Sequence, residues 1–172
     1  MQQSEYWMRG PVGGIPDLLQ PVAHTLLQAK EEINQLMQDF PESLLWARPA
    51  GLASPAFHLK HAAGVLDRLF TYARSQPLSP EQLKTFYEEE KDDRGLGLAL
   101  LVERFNRQID LSLAQLAITE EKSLTAFRGV GRQLLPSTVM GLMFHAAEHL
   151  MRHTGQLLVT KKILIAHRAA TP

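Results

Sequence analysis

Five of the chain's seven histidines fall into two short clusters. The first reads Phe57-His58-Leu59-Lys60-His61, and the second runs from His145 through His149 and His153 to Thr154-Gly155-Gln156. On an α-helix, side chains four apart stack on one face, with roughly 5–6 Å between their Cβ atoms. Two imidazoles so placed can grip one ion, and a third ligand must then come from another helix. His61 sits on an inward stripe of its own segment and can supply it. A single histidine on an apolar face is ordinarily a hydrogen-bonded core residue. Three at i, i+4 and i+8, with a second pair on a separate core segment, point instead to a metal. Three neutral imidazoles with an open fourth position suit zinc, nickel or ferrous iron. Spacing alone leaves His58, His61, His145, His149 and His153 as candidates.

A rival motif overlaps the second cluster. His145-Ala146-Ala147-Glu148-His149 matches H-x-x-E-H, the inverted zinc-peptidase signature. That chemistry needs a further carboxylate ligand downstream, and no Asp or Glu follows Glu148. Glu148 therefore reads as a supporting or surface group. It lies about 100° around the helix from His149, so it is poorly placed as a general base at the same ion.

Composition narrows the classes further. There is no cysteine, which excludes disulfides, a thiol nucleophile and a zinc-thiolate cluster. Any metal must be held by nitrogen and oxygen. The 18 basic and 18 acidic residues cancel, and nucleic-acid binders ordinarily carry a basic excess. No nucleic-acid partner is expected. No run approaches the roughly 20 apolar residues needed to span a bilayer, and the first residues lack the apolar stretch of a signal peptide. The expected location is the cytoplasm, with no membrane partner.

The elements that must position the histidines follow from the 3.6-residue period. Residues 1–14 read as an irregular N-terminal arm, 15–166 as a single bundle domain, and 167–172 as a C-terminal tail. A first amphipathic helix carries Leu19, Val22, Leu26, Ala29, Ile33 and Met37, with Pro21 in its opening turn, and Pro41 ends it. Ser54-Pro55 reads as a cap and first helical position, opening a second helix through Phe57, His61, Leu66 and Leu69. Ser79-Pro80-Glu81-Gln82 caps a short extra helix between the second and third long helices. It runs into the acidic stretch Glu88 to Asp93, which reads as solvated surface. A third long helix spans about 97–118. Residues 119–135 read as a long loop, and Pro136-Ser137-Thr138 opens the last helix, which carries the second histidine cluster to about Ala166. The fold class is all-α, a four-helix bundle whose long connections allow a crossover.

With both clusters placed, the chain resembles the DinB/YfiT-like family of metal-binding four-helix bundles. That family's last helix typically reads H-x-x-x-H-x-x-x-H-R-G-Q; here it is His145, His149, His153, Thr154, Gly155, Gln156. The Ser54 to His61 segment, preceded by Trp46-Ala47-Arg48-Pro49, resembles the family's second-helix motif. The likeness covers roughly Leu18 to Ile165. It implies a metal triad of His61, His149 and His153, with His58 and His145 beside it. Thr154 departs from the family's usual arginine. Gly155, costly in mid-helix by about 1 kcal/mol, suggests a close helix approach. Gln156 reads as orienting a ligand ring or satisfying a buried carbonyl.

The resemblance implies two reaction classes at an open three-histidine ion: transfer of a low-molecular-weight thiol, and hydrolysis by water activated on the ion. Thiol transfer to an unidentified small molecule is the preferred expectation. A non-catalytic metal-binding, stress-related or sensor protein is the alternative. A homodimer through outward bundle faces is compatible with the resemblance.

Overall fold

A computed structural model describes residues 4–170. Among the described residues five α-helices are present: α1 Gln20–Met37, α2 Pro55–Ala73, α3 Pro80–Tyr87, α4 Leu98–Ala117 and α5 Val139–Ala170. A small antiparallel hairpin pairs β1 Phe127–Val130 with β2 Leu135–Thr138.

The four long helices pack as a bundle. Helix α2 lies against α4 and α5, and α1 lies against the same two. The sequence neighbours α1 and α2 are therefore diagonal partners, as are α4 and α5, and the connections between them cross an end of the bundle. The core is built from residues three and four apart on each helix: Val22, Leu26 and Ile33 on α1, Leu59, Leu66 and Phe70 on α2, Leu101, Phe105 and Ile109 on α4, and Leu142, Leu150 and Leu157 on α5. Each supplies one apolar stripe, which is why the bundle closes.

Helix starts follow local chemistry. Ser54 is buried and its Oγ accepts from the Phe57 amide at 3.1 Å, while Pro55 fills the first helical position. Helix α3 opens with a capping box: Ser79 Oγ accepts from Gln82 N at 3.2 Å, and Gln82 Oε1 accepts from Ser79 N at 2.9 Å.

Three expectations need correction. Residues 119–135 are not all loop, because they include a short 3-10 turn at Glu121–Ser123 and the first strand. Pro136-Ser137-Thr138 belongs to β2 and does not open the last helix; Thr138 instead caps α5, its Oγ1 accepting from Gly141 N at 3.0 Å. Four-residue strands interrupted by the Gly129–Pro136 pair are too short for alternation to register, and proline is tolerated because the strand is an edge. The last helix continues to Ala170, past the expected tail boundary. Nothing after Ala166 breaks it, and His167 and Arg168 complement the carboxyl end of its dipole. The tail's residues 171–172 lie outside the described residues, as do 1–3 of the arm.

The described part of the arm is fastened to α1. Tyr6 N donates to Gln28 Oε1 at 3.0 Å, Arg9 pairs with Glu31 at 2.8 Å, and Gln20 bonds the backbone of Val12 in both directions.

Candidate metal centre

The cluster forms where α2 faces α5. His149 and His153 stand one turn apart on α5 with ring centroids 4.7 Å apart. His61 reaches them from α2, its ring 5.2 Å from His149 and 4.4 Å from His153. One ring nitrogen from each of the three falls within 4.8 Å of the others. His61 Nε2 and His149 Nε2 are 3.0 Å apart. Phe57 stacks on the His61 ring at 5.3 Å, nearly parallel, and restrains it from the α2 side.

Electrostatics favours neutral rings. Burial, and then the neighbouring His61, His149 and His58, push His153 down to about 3. Burial, followed by His61, lowers His58 to about 4. His149 is lowered for the same reasons, burial foremost. Neutral imidazoles with lone pairs are what a cation requires.

The donor set fits a divalent ion on a further ground. Among the described residues, His149 Nδ1 is the buried side-chain nitrogen or oxygen left without a partner. A ring held by hydrogen bonding alone would place both nitrogens on partners. Here one ring nitrogen is orphaned, and the other, Nε2, faces His61 Nε2 at 3.0 Å.

Each neighbouring residue takes a definite place. His58 Nδ1 lies 3.1 Å from His153 Nδ1, so it backs a candidate ligand. His145 is exposed beside His149, and its Nδ1 contacts Glu148 at 2.7 Å. A second group of possible ligands, His145, Glu148 and His149, shares a residue with the first. Glu148 is already engaged by Arg152, which foremost holds its carboxyl below the usual range. It is a surface ion-pair partner.

The expectations for Gly155 and Gln156 are corrected. A Cβ at Gly155 would meet nothing within 4 Å, so no neighbouring helix approaches there. Gln156 is exposed and lines, with His58, Arg152 and Thr160, an open cavity of about 500 Å³ behind the cluster. It orients no ligand ring. Thr154 is buried and bonds back to Leu150 O at 3.0 Å, so this position has no room for a long charged side chain.

One residue of the site escaped the sequence reading. Glu89, within the acidic run expected to be solvated, is 5% exposed. Its Oε2 lies 2.8 Å from His61 Nδ1, and its Oε1 pairs with Arg68. Burial raises the Glu89 carboxyl, but the contacts with His61 and Arg68 outweigh it and leave the group below its ordinary range. A usable signal lay on α2 itself. His61, Gly64 and Arg68 share one stripe, and a cation on an inward stripe calls for an acid.

A second cavity, about 320 Å³, opens directly on the cluster. His61, His145 and His149 form one side, and Tyr72, Leu83 and Phe86 are among the residues facing them. Arg68, the one lysine or arginine in its lining, is tied to Glu89 and lies under the Phe86 ring at 4.7 Å.

Comparison with known proteins places this arrangement. The sequence profile of the DinB superfamily matches residues 25–157. A conserved protein of Enterococcus faecalis superimposes with a TM-score of 0.69 at 19% identity, covering 88% of this chain and 99% of its own. A protein of Streptococcus pneumoniae gives a TM-score of 0.62 at 13% identity, covering 84% and 88%. No curated protein matches the chain. At those identities the structures are alike in fold alone.

Proposed function

Since the chain belongs to the DinB superfamily, we propose that it is a metal-dependent enzyme built on an open site of His61, His149 and His153, and that it transfers a low-molecular-weight thiol to an apolar small molecule. The observation that carries this is the convergence of three ring nitrogens, with two of the rings, His61 and His149, lining a cavity walled by apolar and aromatic side chains. A divalent ion (zinc, nickel or iron) would supply Lewis acidity that holds a thiol as thiolate or lowers the pKa of water.

The chain's own groups favour the thiol. Hydrolysis of an unactivated bond ordinarily enlists a nearby carboxylate to carry a proton to the leaving group. Both carboxylates near the cluster are committed, Glu89 to His61 and Arg68, and Glu148 to Arg152 and His145. A thiol held at that ion would release its proton to solvent on binding, and an acceptor carrying its own good leaving group would need no such carboxylate. Its sulfur would form the new bond to the acceptor carbon, and the bond to the displaced group would break with its electron pair leaving on that group. The cavity would hold the apolar part of that acceptor and exclude water. Among the described residues no helix is long and apolar enough to cross a membrane.

The test begins with metal analysis of protein purified without an affinity tag. The metal-loaded protein is then assayed for consumption of small thiols with an aromatic electrophile. Stoichiometric metal and thiol loss that depends on His149 support the reading. Tight metal binding with no thiol consumed by any acceptor overturns the transferase and leaves a metal-binding protein without turnover.

A further inference from the structure

Every residue that grips the turn after α3 from the direction of the cluster comes from one helix. Lys60 Nζ donates to the carbonyls of Glu88 and Lys91, both at 2.9 Å. His61 and Arg68 hold the two oxygens of Glu89. Between them lies Gly64. A Cβ there would collide with Glu89 Oε1 and stand only 2.7 Å from Arg68 Nη1. The absent side chain is the notch through which the carboxylate enters. From the other side, Arg48 Nη2 donates to Glu90 O at 2.8 Å. Of the six residues from Glu88 to Asp93, only Glu89 is buried.

We infer that Glu89 is a positioning residue that sets the tautomer and aim of the His61 ring, with Arg68 and Gly64 as its seat. An ionised carboxylate accepts hydrogen bonds and donates none. His61 Nδ1 must therefore carry the hydrogen, and the lone pair falls on Nε2, the atom 3.0 Å from His149 Nε2. The contact also fixes the ring plane and makes Nε2 a better donor to a cation. The three rings are not equivalent in this respect. His153 is backed by a neutral imidazole, and His149 Nδ1 has no partner. His61 alone is backed by a carboxylate, so the ligand from the separate helix is the one most firmly aimed.

The inference rests on the metal-site reading for its purpose, but its first measurement does not. Nitrogen-15 NMR of metal-free wild-type protein reads the His61 tautomer directly. The Nδ1–H form is expected, and the Nε2–H form overturns the proposal. Cobalt(II) titration against a chelator, with the visible spectrum recorded, is then run on wild type, Glu89→Gln and Glu89→Ala. Glu89→Ala is expected to bind cobalt on the order of 10–100-fold more weakly, with an altered spectrum and unchanged helical circular dichroism. Glu89→Gln, whose amide oxygen can still accept from Nδ1, is expected to recover much of that loss. Wild-type affinity and spectrum in Glu89→Ala overturn the proposal. A wild-type protein that shows the Nδ1–H form yet takes up no metal overturns the metal reading and leaves the orienting contact standing. If Glu89→Ala fails to fold, the wild-type tautomer and the Glu89→Gln titration still decide.

Discussion

At the scale of single residues, the five clustered histidines divide into distinct roles, and each role has its own expected outcome. Replacing His61, His149 or His153 with alanine would remove a ligand of the proposed centre, and the loss of metal affinity measured by chelator competition is expected to exceed the cost of losing a supporting partner, on the order of 10–100-fold. His58→Ala removes only the group behind His153, so metal is retained with a loss inside that range. If His58→Ala loses the metal and His61→Ala keeps it, the choice on α2 is wrong. Acid gives a second handle. Burial holds His153 down to about 3 and His58 down to about 4 in the folded protein, below the ordinary imidazole value of about 6.5. Between those limits the unfolded chain binds more protons, so stability rises with pH. The contribution is complete above about pH 6.5 and is lost as the pH falls toward 4 and then 3. Melting temperatures of metal-free protein should fall steadily from pH 7 to pH 4, and a flat profile would contradict the buried neutral rings. The histidine spacing was legible because a four-residue interval has one geometric meaning on a helix. Glu89 was not, because nothing in a run of six charged residues says which one turns inward. That depends on Gly64, which lies 25 positions earlier in the sequence.

At the scale of elements, α2 is the part on which the site depends most. It brings His58, His61, Gly64 and Arg68, and its start is set by Ser54. Ser54→Ala is expected to cost about 1 kcal/mol, read as a lower denaturant midpoint with an unchanged slope. Helix α3 has the opposite character. None of its residues is buried, yet Leu83, Phe86 and Tyr87 line the cavity beside the cluster. Phe86→Ala should leave metal affinity intact and raise KM for an apolar acceptor several-fold; a change in metal binding alone would assign α3 to the ion instead of the substrate. The long helices were legible because each carries an uninterrupted apolar stripe. The hairpin was not, since its strands hold four residues each and its turn relies on positive φ at Gly131 and Leu134. Leucine at such a turn gives no sequence signal, because the residue adopts that conformation rarely.

At the scale of the whole molecule, the cluster joins two helices that no connecting loop holds together. His61 and His149 are 88 residues apart in sequence. An ion bound by the folded protein and not by the unfolded chain stabilises it by about 2.7 kcal/mol when free metal is 100 times Kd. Adding a strong chelator should therefore lower the melting temperature of wild type and leave that of His149→Ala unchanged. The crossing connections of the bundle were only partly legible, because stripe patterns say which faces are buried and not which helices share them.

The division of the three rings between α5 and α2 has a kinetic consequence. His149 and His153 ride on one rigid helix and keep their spacing even when the bundle breathes. Escape of an ion from the proposed centre would then proceed in steps, with the α2 contact breaking separately from the pair on α5. Re-closing of His61 would compete with departure at every opening, at a rate set by how often α2 lifts from α5. Metal exchange rates should accordingly track amide hydrogen exchange in the middle of α2 more closely than they track the affinity of any one imidazole.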